Sequence, residues 1–280
     1  MKEVKALVLS GYGLNCDYET AYALELAGAT AVRVHINSLV SGMVRLEDFQ
    51  IMVFGGGFSW GDDHGAGVIQ AVRIKTKLGG NLLKFIENQG LILGICNGFQ
   101  TLVNLGLLPG FDLFKKDIKP QSSMKRLVAL INNDSGNFRD QWVNLKIDSD
   151  SPCIFTKDLD SMELPVRHGE GKFYSDDLTI KRLIAGRQVV ARYAMPDGSP
   201  AEKKFPLNPN GSEYDIAGIC DPTGRIFGLM PHPEAFNHPT NHPDWTLNRE
   251  KTKRKHNADS LTSVSGIKIF QNAVDFIRKI

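Results

Sequence analysis

Short apolar runs alternate with stretches of helical period through the first hundred positions, the pattern of βαβ units that feed a parallel sheet. Residues 4–9 read as the first strand and residues 17–27 as the helix after it, with Asp17 as N-cap and Gly28 just past the end. Residues 31–35 form the next predicted strand. Residues 50–54 form a buried one that runs into Gly55-Gly56-Gly57, where backbone must turn sharply or approach something closely. A long helix is expected within residues 66–88, loosened at Gly79-Gly80. Residues 91–95 make the following strand, and a helix over 98–104 comes next, stopped by Gly106 and Pro109-Gly110.

Beyond residue 120 the apolar runs shorten and become β-rich, at 127–131, 142–147, 164–167, 189–193, 216–219 and 226–230. They are expected to extend or flank the parallel sheet, and no linker separates them from it. Residues 195–212, rich in Pro, Gly and Asn, and the polar stretch 237–262 read as surface loops. In the latter, five basic residues and one acidic residue fall between Arg249 and Lys255. The chain closes on an amphipathic helix over 264–280, with Ile267, Phe270, Ala273, Val274 and Ile277 at helical spacing. The expected fold class is α/β: a mainly parallel sheet flanked by helices, with extra β-rich segments. One domain over 1–280 is expected to carry the polar, basic insertion at 237–262.

Composition narrows the function classes. With 280 residues, 42% hydrophobic and 23% charged, the chain is large enough to bury a core without metal or disulfides. A formal charge of +2, from 33 basic and 31 acidic residues, gives no electrostatic case for nucleic acid. The first apolar stretch is too short for a signal segment and no run reaches membrane-spanning length, so no membrane association is expected. Cysteines at 16, 96, 153 and 220 lack the spacing of a zinc site or a disulfide framework, which points to a reducing, cytoplasmic setting.

One cysteine stands apart. In Gly94-Ile95-Cys96-Asn97-Gly98, Cys96 ends an apolar strand, has glycine two residues to either side and sits where a helix begins. That is the layout of a nucleophile elbow, and a helix N-terminus favours thiolate over thiol. Read alone, the pentapeptide also fits a buried, inert cysteine with glycines that serve packing. His232 in Met230-Pro231-His232-Pro233-Glu234 follows a predicted strand and falls on the same sheet edge, with Glu234 placed to orient its ring. In isolation this too has a plain alternative, a surface turn, but beside the elbow the catalytic reading is preferred. Gly56 and Gly57, again at a strand end, offer backbone N–H groups for an oxyanion hole. A phosphate cradle is disfavoured there by the absence of a Walker lysine and of G-x-G-x-x-G. Residues 166–173, a dense polar cluster that would be expensive to bury, read as solvated loop or site wall, with loop preferred. Cys16, Cys153 and Cys220 read as structural.

The sequence resembles the class I (triad) glutamine amidotransferases, in particular the branch that serves as glutaminase component of phosphoribosylformylglycinamidine synthase. The likeness runs from Gly11-Tyr12-Gly13-Leu14-Asn15-Cys16-Asp17 through Gly56-Gly57-Phe58-Ser59-Trp60-Gly61-Asp62 and Gly94-Ile95-Cys96-Asn97-Gly98-Phe99-Gln100. It continues in His168-Gly169-Glu170-Gly171-Lys172-Phe173, Asn208-Pro209-Asn210-Gly211-Ser212 and the His232 motif. The resemblance implies a three-layer, flavodoxin-like fold and a triad of Cys96, His232 and Glu234 acting on L-glutamine. It implies oxyanion donors at Gly57 and Asn97 beside Gly56. It also turns the polar cluster His168, Gly169 and Glu170, with Gln100, into part of the glutamine pocket or its wall. It further implies that ammonia passes to a large formylglycinamidine ribonucleotide synthetase subunit, with a small third subunit often completing the assembly. ATP and magnesium would then sit on that synthetase, with no cofactor or metal in this chain. A catalytically silent regulatory partner, or an amidotransferase feeding another pathway, are the alternatives. The departure from the family lies after Glu234, where Ala235 and the polar insertion intervene; the insertion reads as a solvated loop rather than a docking segment.

Overall fold

The structure is a computed structural model and describes residues 2–115, 123–254 and 265–280. Strand β1 (Lys5–Ser10) leads into helix α1 (Asp17–Leu26), β2 (Thr30–His35) and the short α2 (Ile36–Val40). Then come β3 (Ile51–Phe54), α3 (Val68–Glu87), β4 (Leu91–Ile95) and α4 (Asn97–Leu105). Both β3 and β4 are buried along their whole length, as continuous apolar runs require of central parallel strands. Two local expectations are corrected. The α1 N-cap is Cys16, and Asp17 lies in the first turn, where its carboxylate takes a 2.9 Å contact from Arg33 instead of capping the helix. Helix α3 runs unbroken through Gly79-Gly80, because the buried Ile74, Leu78, Leu82, Leu83 and Ile86 hold its inner face on the sheet.

The second half supplies β5 (Val128–Asn132), β6 (Arg139–Ile147), β7 (Ser161–His168), β8 (Glu170–Ser175), α5 (Asp177–Ala185) and β9 (Val189–Ala194). Strands β10 (Ile216–Cys220) and β11 (Ile226–Leu229) and helices α6 (Trp245–Arg254) and α7 (Ser265–Lys279) complete it. Among the described residues nine strands form one sheet in the order β2-β1-β3-β4-β11-β10-β9-β6-β7, while β5 and β8 pair separately. The first five of these are parallel, and the run from β11 to β7 is antiparallel. The β-rich tail therefore extends the parallel sheet, with the β5–β8 ribbon beside it.

Residues 166–173 are not loop but the end of β7 and the start of β8. Their polar side chains alternate with buried Val166, His168, Gly171 and Phe173 on a half-buried ribbon. Residues 195–212 do not lie wholly at the surface either: Ala201, Asn208, Asn210 and Ser212 are buried. The described part of the insertion holds a 3₁₀ turn and α6, none of whose residues is buried; residues 255–262 lie outside the described residues. His242, inside the insertion, is buried against Trp142 and Phe236. Helix α7 buries the five apolar positions expected of it. No helix among the described residues is long and apolar enough to cross a membrane.

Candidate active site

Strands β1, β3, β4 and β11 are parallel neighbours, so the loops leaving their carboxyl ends meet on one edge. Cys96 leaves β4 with φ 51° and ψ −107°, a conformation sparsely populated for any residue with a side chain. Its neighbours make this possible. A Cβ on Gly98 would land on the Phe54 carbonyl, and one on Gly94 would stand 2.6 Å from Leu102 Cδ1. Only glycine at both positions lets α4 start this close to the sheet. The Cys96 N–H donates to Leu229 O at 2.8 Å, tying the elbow to β11, and its thiol points at Arg167 O, 3.6 Å away.

His232 follows β11, between two prolines that stiffen the backbone. Its N–H donates to Pro165 O at 2.8 Å, so β7 returns to brace the turn. The Nδ1 atom is 2.6 Å from Glu234 Oε1, and both side chains are buried. His232 Nε2 and Glu234 Oε2 have no hydrogen-bond partner among the described residues. Burial by itself would disfavour charge on the imidazole. Glu234, Cys96 and Cys16 outweigh it and hold the His232 pKa well above its ordinary value. The ring is thus built to carry a proton, with Nδ1 anchored and Nε2 left for chemistry.

Cys16 is the main correction to the sequence reading. It is buried beside the His232 ring, and its thiol, Glu234 and His232 offer ligand-type atoms within 4.8 Å of one another. Burial pushes its pKa up to about 11, so it faces the ring as a neutral thiol. The 2.6 Å Nδ1–Oε1 contact is a hydrogen bond. Two ligands on one tetrahedral zinc, each about 2.0–2.2 Å from the ion, would stand about 3.3–3.6 Å apart. A Cβ on Gly56 would be 2.7 Å from His232 Cε1 and 3.0 Å from Cys16 Sγ, so Gly56 is where loop, base and thiol converge. The Gly56 carbonyl accepts from Asn15 and Cys16 N–H at 3.3 and 3.4 Å, which in a trans peptide turns the Gly57 N–H the opposite way. Gly57, at φ 140°, has no room for a side chain against Gly13 O and Asn15 N.

Past the elbow, a polar chain leads away from the nucleophile. Asn97 Nδ2 donates to Asp62 Oδ1 at 3.0 Å and to Gln100 Oε1 at 3.3 Å. Gln100 Nε2 donates to Glu170 O at 2.6 Å, and Glu170 Oε2 accepts from Ala66 N–H at 3.2 Å. Asn97, Gln100 and Glu170 are therefore brought together. His168 is placed differently: its ring is buried against Asn133 and Asn210, at 3.0 and 3.5 Å, and desolvation lowers its pKa to about 3. It acts in a neutral structural network, and what the β7 end presents to Cys96 is the Arg167 carbonyl. Gly169 accepts from Asn133 N–H at 3.0 Å, on the same network. Sequence reasoning missed Cys16, Asp62 and the Arg167 carbonyl. All three lie inside segments already singled out, and that was the available signal.

Residues 3–277 match the family model of the CobB/CobQ-like glutamine amidotransferase domain. The phosphoribosylformylglycinamidine synthase subunit PurQ of Methanococcus maripaludis is 45% identical over 277 residues, 98% of each chain. The subunit of the same name from Dehalococcoides mccartyi is 43% identical over 280 residues, 100% of each. A solved structure of PurLQS from Thermotoga maritima aligns with TM-score 0.69 at 27% identity, covering 99% of this chain and 100% of that one.

Proposed function

The chain belongs to the family of CobB/CobQ-like glutamine amidotransferase domains, and from its full-length likeness to phosphoribosylformylglycinamidine synthase subunits we propose that it is the glutaminase subunit of such a synthase. One observation carries the chemistry: the strained Cys96 elbow stands beside a buried His232–Glu234 pair at the end of the neighbouring parallel strand. Cys96 Sγ attacks the side-chain amide carbon of glutamine. The N–H groups of Gly57 and Asn97 receive the oxyanion; Asn97 opens α4, so its N–H has no partner within the helix. Each such donor is worth on the order of 10²–10³ in rate. His232 protonates the departing nitrogen and ammonia leaves. Water, giving its proton to His232, then cleaves the glutamyl thioester to glutamate. Glu234 holds the Nδ1–H throughout, and Gln100 and Glu170 form the wall that receives the amino-acid end of the substrate.

The ammonia passes to a large synthetase subunit that converts formylglycinamide ribonucleotide to the amidine, and a small third subunit completes the assembly. ATP and magnesium belong to that synthetase. Residues 1–280 act as one amidotransferase unit in the cytoplasm, where the four free cysteines, 16, 96, 153 and 220, stay reduced. The test is ammonia release from glutamine by the native chain and by Cys96→Ser, each with and without the cognate synthetase. The native chain should release ammonia with the synthetase present, and the variant should fall by a factor on the order of 10³ or more. Equal release by the two chains would sink the reading.

A further inference from the structure

Two loops on the catalytic edge share an unusual backbone. After β1, Gly11, Tyr12 and Gly13 have φ of 112°, 49° and 93°, and between β3 and α3, Trp60, Gly61 and Asp62 have φ of 53°, 69° and 55°. The left-handed region favours glycine, yet Tyr12 and Trp60 place two of the largest side chains in it. Such a conformation persists only where its surroundings enforce it, and outliers of this kind gather at functional sites.

The two loops are zipped together. Tyr12 O accepts from Trp60 N–H at 2.7 Å and Gly13 O accepts from Phe58 N–H at 3.0 Å. Leu14 bridges Gly57 in antiparallel fashion, and Gly56 O accepts from Asn15 and Cys16 N–H. Gly57, whose N–H is the oxyanion donor on the glutaminase reading above, therefore lies inside a narrow two-stranded ribbon. A ribbon this short is not stable by itself. Its outer end is closed by side chains: the Tyr12 and Trp60 rings stack with centroids 4.5 Å apart and planes at 22°. The stack is itself anchored. Asn37 Nδ2, from α2, donates to Tyr12 Oη at 2.8 Å, and Arg73 Nη2, from α3, donates to Asn37 Oδ1 at 3.0 Å. The Arg73 guanidinium also lies 6.0 Å from the centre of the Tyr12 ring. Because α2 and α3 each bury apolar side chains, the line of contacts runs from the scaffold to the oxyanion loop.

We propose that the Tyr12–Trp60 stack is a clip that holds the Gly57 N–H in the direction of the developing oxyanion. Tyr12 and Trp60 are then positioning residues, acting through the backbone and not on the substrate. The inference rests on the glutaminase reading and adds to it what fixes the donor. An oxyanion hole stabilises the tetrahedral intermediate only if its N–H groups are aimed before the charge develops, and a displacement of about 1 Å costs on the order of 10²-fold in rate. Tyr12 and Trp60 hold φ values that a relaxed loop would leave, so the stack is what keeps the ribbon shut.

The experiment measures two reactions of Cys96 in the chain bound to its synthetase. Glutamine hydrolysis passes through an oxyanion. Alkylation by iodoacetamide does not: Cys96 Sγ bonds to the methylene carbon as iodide leaves, and mass spectrometry of the Cys96 peptide follows the rate. Tyr12→Ala should lower kcat for glutamine roughly 10- to 100-fold, with KM within about twofold of native, and leave the alkylation rate unchanged. Tyr12→Phe keeps the ring and should recover most of the loss. Trp60→Leu keeps bulk without a ring; it should repeat the Tyr12→Ala result, and it stands as the second variant if Tyr12→Ala folds poorly. Native kcat in both Tyr12→Ala and Trp60→Leu, or alkylation that falls in step with kcat, would overturn the proposal. A native complex that releases no ammonia from glutamine would instead overturn the glutaminase reading, and this inference with it.

Discussion

At the scale of single residues the site is organised by what has been left out as much as by what is present. Gly56 has no side chain because a Cβ there would press on His232 Cε1 at 2.7 Å and on Cys16 Sγ at 3.0 Å. Gly56→Ala should therefore displace the base without unfolding the chain, and kcat should fall on the order of 10²-fold with the far-ultraviolet dichroism unchanged. Full activity in the variant would mean that the ring has more freedom than its contacts suggest. Asp62 is the converse case, a charge retained at a cost to stability. Its carboxyl has an ordinary value of 3.8 and is raised to about 6 in the fold, so the native state binds more protons than the unfolded state between those limits. Stability contributed by this group is accordingly present at the acid end and declines as pH rises from about 4 to about 6, staying low above that. Because the side chain is only half buried, solvent screening leaves about 1 kcal/mol of the shift as a stability effect. Asp62→Asn should melt higher than the native chain at about pH 7.5, and the gain should shrink toward about pH 4.5. A gain that grows on acidification would contradict the sign worked out here.

At the scale of elements, the parallel half was legible because β3 and β4 are buried throughout and their residues are apolar without interruption. Strand β8 was not. Glu170, Lys172 and Tyr174 alternate with Gly171, Phe173 and Ser175 on a ribbon with one wet face, and in the sequence such a run looks like polar loop. Helix α6 has no apolar face to announce it, since none of its residues is buried. The site divides in the same way. Cys96 and His232 were readable because each stands at or just past the end of an apolar strand, and Glu234 because it comes two residues after His232, whereas Cys16 acquires its place only when β1 and β11 lie on one sheet edge, more than two hundred positions apart in the chain. Gly79-Gly80 misled for a physical reason: glycine weakens an isolated helix, but α3 is held by its buried face. A Cβ at either glycine would meet nothing within 4 Å. Gly79→Ala with Gly80→Ala should therefore add about 1 kcal/mol and raise Tm by about 2–4 °C, with glutaminase activity unchanged. A lower Tm would show that the helix uses its glycines to bend.

At the scale of the whole molecule, the last helix buttresses the catalytic turn from behind. Gly266, near the start of α7, lies so close to the Pro233 and Phe236 carbonyls that a Cβ would come within 2.6 Å of Phe236 O and nearer still to Pro233 O. Those residues flank Glu234 and Ala235 in the 3₁₀ turn that follows His232. Further along the same helix, Asn272 donates to Phe155 O and Lys157 O at 3.0 and 2.8 Å, and Arg278 reaches Gly28 O at 2.7 Å. These contacts reach three separate parts of the chain, of which only the first carries catalytic groups. Asn272→Ala should cost about 1–3 kcal/mol in thermal or denaturant unfolding, since a buried and a part-buried carbonyl lose their donor, yet leave kcat close to native in the folded protein. Gly266→Ala should move the turn that bears Glu234, so kcat should fall even under conditions where the variant is fully folded. The pair of variants separates support of the fold from support of the site. Equal effects on kcat from both, after correction for the folded fraction, would mean that α7 holds the molecule together without specifying where the His232–Glu234 pair stands.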